Sequence, residues 1–363
     1  MSFFEEPIEG EQRLTMVIVS DVHKRLDRVR QLLDWLARDE DEGGCRVPVA
    51  DVLLCAGDIA HRTVAPGSDL DTAACTAAAA DMSAVLMALE NVCARLVYVP
   101  GNHDAPCAFA APPPALTVHA CNAHGRHVRV LPGLVVVGLG GSAPAVSAGQ
   151  PVRWSAYPYA DDAALEAALA RALINEQERQ EQEQEQEKQQ EEEKGVEDKT
   201  TDAGCSSSPM ESRGEKEEEK EESVADINVS LEMVPHAVER PGERLDAARD
   251  FAVLLTHAGP DVSPTSVDYT AAPAPVAAGS AAVARAVAAG PHVFGLAVHG
   301  HTHSGRGAAT LARGTLVVNP GALADGHFAV CTLVRRAAAP RWAVETLVLH
   351  ALPPLPAAAE LHL

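Results

Sequence analysis

Several residues able to bind a metal or move a proton stand just beyond short apolar runs in this sequence. They are Asp21 and His23 in SDVH, Asp58 in AGD, Asn102 and His103 in GNHD, His257 in THAG, and His301 and His303 in GHTH. Mixed carboxylate, amide-oxygen and imidazole donors suit borderline divalent ions such as Mn, Fe or Zn better than Ca or an all-thiolate zinc site. Leaving His103 aside, the set is too large for one tetrahedral ion. It suits two ions of higher coordination sharing a bridging carboxylate, about 3.5 to 4 Å apart. Each piece alone is weak: GNHD reads equally as a turn, and a lone His257 as a satisfied buried histidine. Their joint occurrence, in order and each at the end of an apolar run, carries the weight.

The apolar runs must position these groups. LTMVIVS is a β-branched strand, and Leu26, Val29, Leu32, Leu33 and Leu36 follow at helical spacing. ADVLLCAGD, an alanine-rich helix over 72–92 and RLVYVPGNHD repeat the unit, so a sheet covered by helices is expected. Open α/β sheets gather their ligands at strand carboxyl ends, which sends SDVH, AGD and GNHD to one crevice. From residue 127 the texture becomes strand-rich. Two strands flank a Pro-Gly turn in HVRVLPGLVVVGLGGS, and FAVLLTHAGP, HVFGLAVHGHTH, GTLVVNPG and HFAVCTLVRR follow. A second sheet packed on the first is the expectation.

Of the 363 residues, 47% are hydrophobic, enough for a sizeable core. The net charge of −22 is uneven, because residues 176–222 hold 19 acids and 7 bases. Such a balance repels phosphate backbones, and no basic cluster offsets it, so nucleic acid is not an expected partner. Residues 161–175 carry Leu165, Leu169 and Leu173 as a helical stripe, after which EQERQEQEQEQEKQQEEEK has no apolar face. Residues 176–224 are therefore expected to be an acidic, disordered insertion, available to a protein partner. The expected organisation is an N-terminal extension over 1–13, one domain built from 14–175 and 225–350, and a C-terminal tail over 351–363. Eight scattered cysteines without a CxxC pair point to reduced thiols. With no signal-like N-terminus and no run of 18 apolar residues, the expectation is a soluble intracellular, cytoplasmic protein without a membrane span.

The motifs SDVH (20–23), GDIAHR (57–62), GNHD (101–104), THAG (256–259) and GHTH (300–303) together resemble the calcineurin-like metallophosphoesterases. With GLGGS at 138–142 and NPGALADGHFAV at 319–330, the texture looks like the small prokaryotic-type members rather than the protein phosphatases. The resemblance implies a four-layer α/β/β/α sandwich of two mixed β-sheets flanked by helices, with two divalent metals at its crest. It assigns Asp21, His23 and His303 to one metal, Asn102, His257 and His301 to the other, and Asp58 to the bridge. His299 falls where the pattern asks for no ligand.

The activity so implied is hydrolysis of a small phosphodiester or phosphomonoester by a metal-bridging hydroxide, without a covalent intermediate. His103 would protonate the leaving oxygen, and Arg62 would clamp the phosphate. One departure stands out: His61 occupies the position where related phosphatases have an aspartate that buttresses the catalytic imidazole. Asp104 is the candidate to supply that charge instead. The alternative reading is a non-catalytic interaction subunit on the same fold, against which the retained His103 speaks. Substrate specificity is expected from residues 105–125 and 260–280, rich in Ala and Pro.

Overall fold

The computed structural model describes residues 11–37, 50–61, 72–93, 95–147, 150–152, 156–173, 245–246, 249–270, 274–290, 293–336 and 339–355. Arg62, the acidic insertion expected over 176–224 and most of both expected terminal extensions lie outside them. All described elements fall in one unit, made of residues up to 176 and from 237 onward.

Strand β1 (Glu11–Val19) alternates between two buried environments, as a period of two requires. Met16 and Ile18 point toward the second sheet, whereas Val17 and Val19 meet helices. Both faces being covered, the strand reads as a continuous apolar run. Helix α1 (Leu26–Leu36) buries Val29, Leu32 and Leu36, the stripe its spacing predicts. Then come β2 (Val52–Cys55), α2 (Thr72–Glu90), β3 (Leu96–Tyr98) and β4 (Ala120–Asn122). Strands β1 to β4 pair in parallel, and the helical connections lie on one face. Helix α2 is long and apolar enough over Ala73–Glu90 to cross a membrane, a span the sequence expectation does not include. Its Met82, Val85, Leu86 and Leu89 are buried in the same cluster as Val17, Leu53 and α1, so it serves here as a covering layer.

The antiparallel pair β5 (Arg126–Leu131) and β6 (Leu134–Leu139) opens the second sheet, followed by a small β7 (Ala145–Ser147) and β8 (Gln150–Val152) ribbon and α3 (Asp162–Leu173). After the insertion come β9 (Phe251–Thr256), a two-residue pair β10 (Val267–Asp268) and β11 (Val276–Ala277), α4 (Ala281–Ala289) and β12 (Phe294–Val298). The chain ends with β13 (Gly307–Thr310), β14 (Leu316–Asn319), β15 (His327–Arg336) and β16 (Ala339–Ala351). The first sheet runs β16-β15-β1-β2-β3-β4 and the second β13-β14-β12-β9-β6-β5, both mixed.

Between the sheets, Met16, Ile18, Leu54 and Val97 pack with Val136, Val253, Leu255 and Val298. Outside the second sheet, Leu165 and Leu169 of α3 and Val283 and Val287 of α4 cover Val137, Leu254 and Ala297. These three apolar seams are what a four-layer α/β/β/α sandwich requires, and the expected fold class is the observed one.

A polar clasp holds one edge of the second sheet. Arg129 on β5 donates from both terminal nitrogens to Asp250, at 2.7 and 3.0 Å, just ahead of β9. Asp250 is 3% exposed and also accepts the Asp246 N–H. Replacing Arg129 by alanine should therefore cost about 2 kcal/mol, below the full penalty for a stranded buried charge because the Asp246 contact survives. Urea unfolding of Arg129→Ala measures this; an unchanged midpoint would show that the pair contributes no stability.

Candidate metal centre

Each candidate ligand sits just after a strand. Asp21 and His23 follow β1, Asp58 follows β2, Asn102 and His103 follow β3, His257 follows β9, and His301 and His303 follow β12. In each sheet these strands run parallel, so their carboxyl ends share a rim. The turn-out from the strands is steep. Asp21 (φ 53°), His23 (φ 47°), Asp58 (φ 50°) and His301 (φ 69°) all adopt the left-handed region that side chains with a Cβ disfavour. Strain of this kind persists only where surrounding contacts over-determine it, as at ligand sites. Here the contacts are the Asp21 N–H to Gly57 O (2.9 Å), His23 N–H to Asp58 O (2.9 Å) and Gly300 N–H to His257 O (3.0 Å) bonds, which knit neighbouring loops.

The structure brings the side chains together in two overlapping groups, Asp21 with His23 and His303, and Asp21 with Asp58 and His257. Within each group one ligand atom per residue lies within 4.8 Å of the others. His257 is fully buried and gives its Nδ1–H to Ala56 O at 2.7 Å, which turns Nε2 toward Asn102 Oδ1 (2.9 Å) and Asp58 Oδ2 (3.4 Å). His23 Nε2 and His303 Nε2 stand 3.1 Å apart, with Asp21 Oδ1 3.5 Å from the latter. Electron-rich atoms so arranged repel unless a proton or a cation lies between them. The donor set thus fits divalent ions, and the Nδ1 contact of His257 is the outer anchor that metal-ligating histidines use.

Protons answer the same repulsion. Burial would depress His257, but the Asp58 charge beside it prevails and lifts it to about 9. His303, opposed by burial and favoured by its hydrogen bond to Asp21, also rises to about 9. Asp58 is buried, yet the His257 charge holds it well below the usual carboxylate range. His301 goes the other way, burial pushing it to about 3, while its backbone N–H binds Asp21 at 3.1 Å.

His103 is half-buried, and its backbone N–H donates to Asp58 Oδ1 at 2.8 Å, so the candidate acid and the candidate bridge are fixed to one another. Its ring is stacked on His61, 5.3 Å between centroids and 14° from parallel. Asp104 is fully buried and takes N–H bonds from Ala60 (2.6 Å), Gly101 (2.7 Å) and Ile59 (3.2 Å). Burial and the Asp58 charge raise it to about 7. The carboxylate expected to support catalysis is thus engaged in tying the 58–60 loop to the 101 loop. His299 lies inside, its Nε2 accepting from Thr265 Oγ1 (2.8 Å) and its Nδ1 against Gly300 O (3.1 Å), beneath the ligand loop.

Asn319 was not anticipated as a positioning group. Fully buried, it donates from Nδ2 to Thr302 O (2.8 Å) and Thr265 O (3.0 Å), and so fastens the loop carrying His301 and His303. An amide closing a strand directly before Pro-Gly was the available signal.

A model of the calcineurin-like phosphoesterase family matches residues 14–144. Over these residues the chain is similar to the calcineurin-like phosphoesterases. The matched stretch holds Asp21, His23, Asp58, Asn102 and His103, and the fold adds His257, His301 and His303 from beyond it. No curated protein matches the chain in sequence. Among solved structures, one chain is 14% identical with a TM-score of 0.50, covering 94% of this chain and 100% of its own. TT1561 of Thermus thermophilus is 15% identical over 94% of this chain and 100% of its own, with a TM-score of 0.42. The Haemophilus influenzae NAD nucleotidase NadN is 11% identical over 95% of this chain and 51% of its own, with a TM-score of 0.39. At 14% identity and a TM-score of 0.50 the first of these likenesses is one of fold alone, and the calcineurin-like similarity rests on the family match over residues 14–144.

Proposed function

We propose that this calcineurin-like chain is a metal-dependent phosphoesterase that hydrolyses a small phosphomonoester or phosphodiester. The observation that carries the reading is the meeting of Asp21, His23, Asp58, Asn102, His257 and His303 at one rim, with His103 tied to Asp58 beside them. Asp21, His23 and His303 would hold one ion and Asn102, His257 and His301 a second, with Asp58 between; Mn, Fe and Zn are the ions such donors suit. When bound, the ions supply positive charge for the phosphoryl oxygens and acidify water to a nucleophile near neutral pH.

The protein's own groups do the rest. Ala56 O keeps the His257 proton on Nδ1, leaving Nε2 as a donor atom. The His301 N–H orients Asp21, and the His103 N–H orients Asp58. Asp104 locks the two loops between which Asp58 and His103 are held. The half-buried His103 ring is the group we assign to protonating the leaving oxygen, with Arg62 as the phosphate clamp.

Protein loaded with Mn should hydrolyse p-nitrophenyl phosphate or bis-p-nitrophenyl phosphate, and the ratio of the two rates reports monoester or diester preference. His103→Ala should lower kcat about 10²- to 10⁴-fold, the usual contribution of a general acid, while metal uptake stays as in wild type. Metal uptake without turnover under Mn, Fe or Zn would overturn the catalytic reading in favour of a binding module.

A further inference from the structure

His61 is exposed, follows β2 and lies outside both groups of converging ligands, yet its ring is held from two sides. One face stacks on His103, and its edge meets His23 with centroids 5.3 Å apart and planes at 75°. Its Nδ1 lies 3.3 Å from His23 Nδ1. The other nitrogen of His23, Nε2, is the one turned to the centre, 3.1 Å from His303 Nε2 and 3.9 Å from Asp58 Oδ2.

A neutral imidazole has one N–H and one lone pair. If Nε2 of His23 keeps its lone pair for a cation, the proton must sit on Nδ1. The atom facing that proton is His61 Nδ1. Two N–H groups cannot face each other, so His61 accepts there and carries its own proton on Nε2. We propose that His61 is a positioning residue that accepts the Nδ1 proton of His23 and so holds His23 Nε2 toward the metal centre.

This gives the histidine at 61 a use that its difference from the family's aspartate does not predict. It works on a metal ligand through hydrogen bonding, while its stacked face sets the plane of the His103 ring. A neutral acceptor polarises His23 less than a carboxylate would, so the centre keeps more net positive charge. The inference rests on the metal-holding part of the proposed function and is independent of its phosphoester chemistry.

Metal-stripped protein titrated with Mn²⁺ or Zn²⁺ alone tests it. His61→Leu removes the acceptor at an exposed position and should weaken binding about tenfold or more, within the range for loss of such partners. His61→Asn places an amide oxygen, Oδ1, bonded directly to Cγ as Nδ1 is in histidine. It should restore affinity to within about threefold of wild type. His61→Asp, an anionic acceptor, should bind at least as tightly as wild type. Wild-type affinity in His61→Leu, or His61→Asn as weak as His61→Leu, overturns the role given to His61 and leaves the phosphoesterase reading standing. Wild-type protein that takes up neither ion overturns both.

Discussion

Asp58→Asn protein is expected to fold as wild type and to lose hydrolysis by about 10³-fold or more. The substitution keeps shape and removes charge. The amide oxygen can still accept the His103 N–H that Asp58 Oδ1 holds at 2.8 Å. The amide nitrogen can donate to His257 Nε2, which faces Asp58 Oδ2 at 3.4 Å and whose own proton is committed to Ala56 O. What disappears is the carboxylate that the proposed function sets between two cations. Metal charge is worth several kcal/mol at the transition state, and each 1.36 kcal/mol is a factor of ten in rate. Elemental analysis should show reduced metal content alongside an unchanged circular dichroism spectrum. Activity within tenfold of wild type would remove Asp58 from the centre of the site.

Gly101→Ala should damage both stability and the site. A Cβ at residue 101 would lie 2.1 Å from Asp58 Oδ1 and 2.2 Å from the Asp58 N atom. A rotamer change could move the carboxylate but not the backbone nitrogen, so the 58 and 101 loops must part. Those are the loops that Asp104 ties together through Gly101, Ile59 and Ala60. Overpacking of this severity belongs at the upper end of its range, about 3 kcal/mol, since no flexible side chain can absorb it. Urea unfolding combined with metal titration reads both effects. A midpoint and metal content equal to those of wild type would show that the two loops are looser than their hydrogen bonding implies.

The strands bearing the candidate ligands were legible because burial on both faces writes itself as an unbroken apolar run. β1, β2, β3, β9 and β12 all show it, and a polar residue marks where each run ends. Strand β16 left no such mark. Among the described residues it lies at the edge of its sheet, paired with β15, and its APRWAVETLVLHA mixes apolar and charged residues. Its 13 residues were consequently not read as a strand, although all but Ala351 fall inside the expected domain bounds. Helix α4 has only Val283 and Val287 as bulky apolar residues among alanines, too few to declare a face.

At the site, residue types were readable and directions were not. Nothing in SDVH or GDIAHR announces left-handed backbone at Asp21, His23 and Asp58, because that conformation is imposed by neighbouring loops. Asp104 illustrates the same limit. As a letter beside His103 it is a candidate for the reaction, and only its three backbone donors reveal that it faces inward.

The order of strands has one more consequence. Chain from before residue 174 and chain from after residue 244 are interleaved in both sheets: β15 lies against β1, and β9 lies against β6. Severing the polypeptide anywhere between would break no strand pairing among the described residues. The cut molecule would persist as a two-fragment particle, with neither fragment owning a complete sheet or all of the candidate ligands. Covalent continuity across the acidic stretch is thus a matter of assembly, and the finished sandwich is held shut by its own weave.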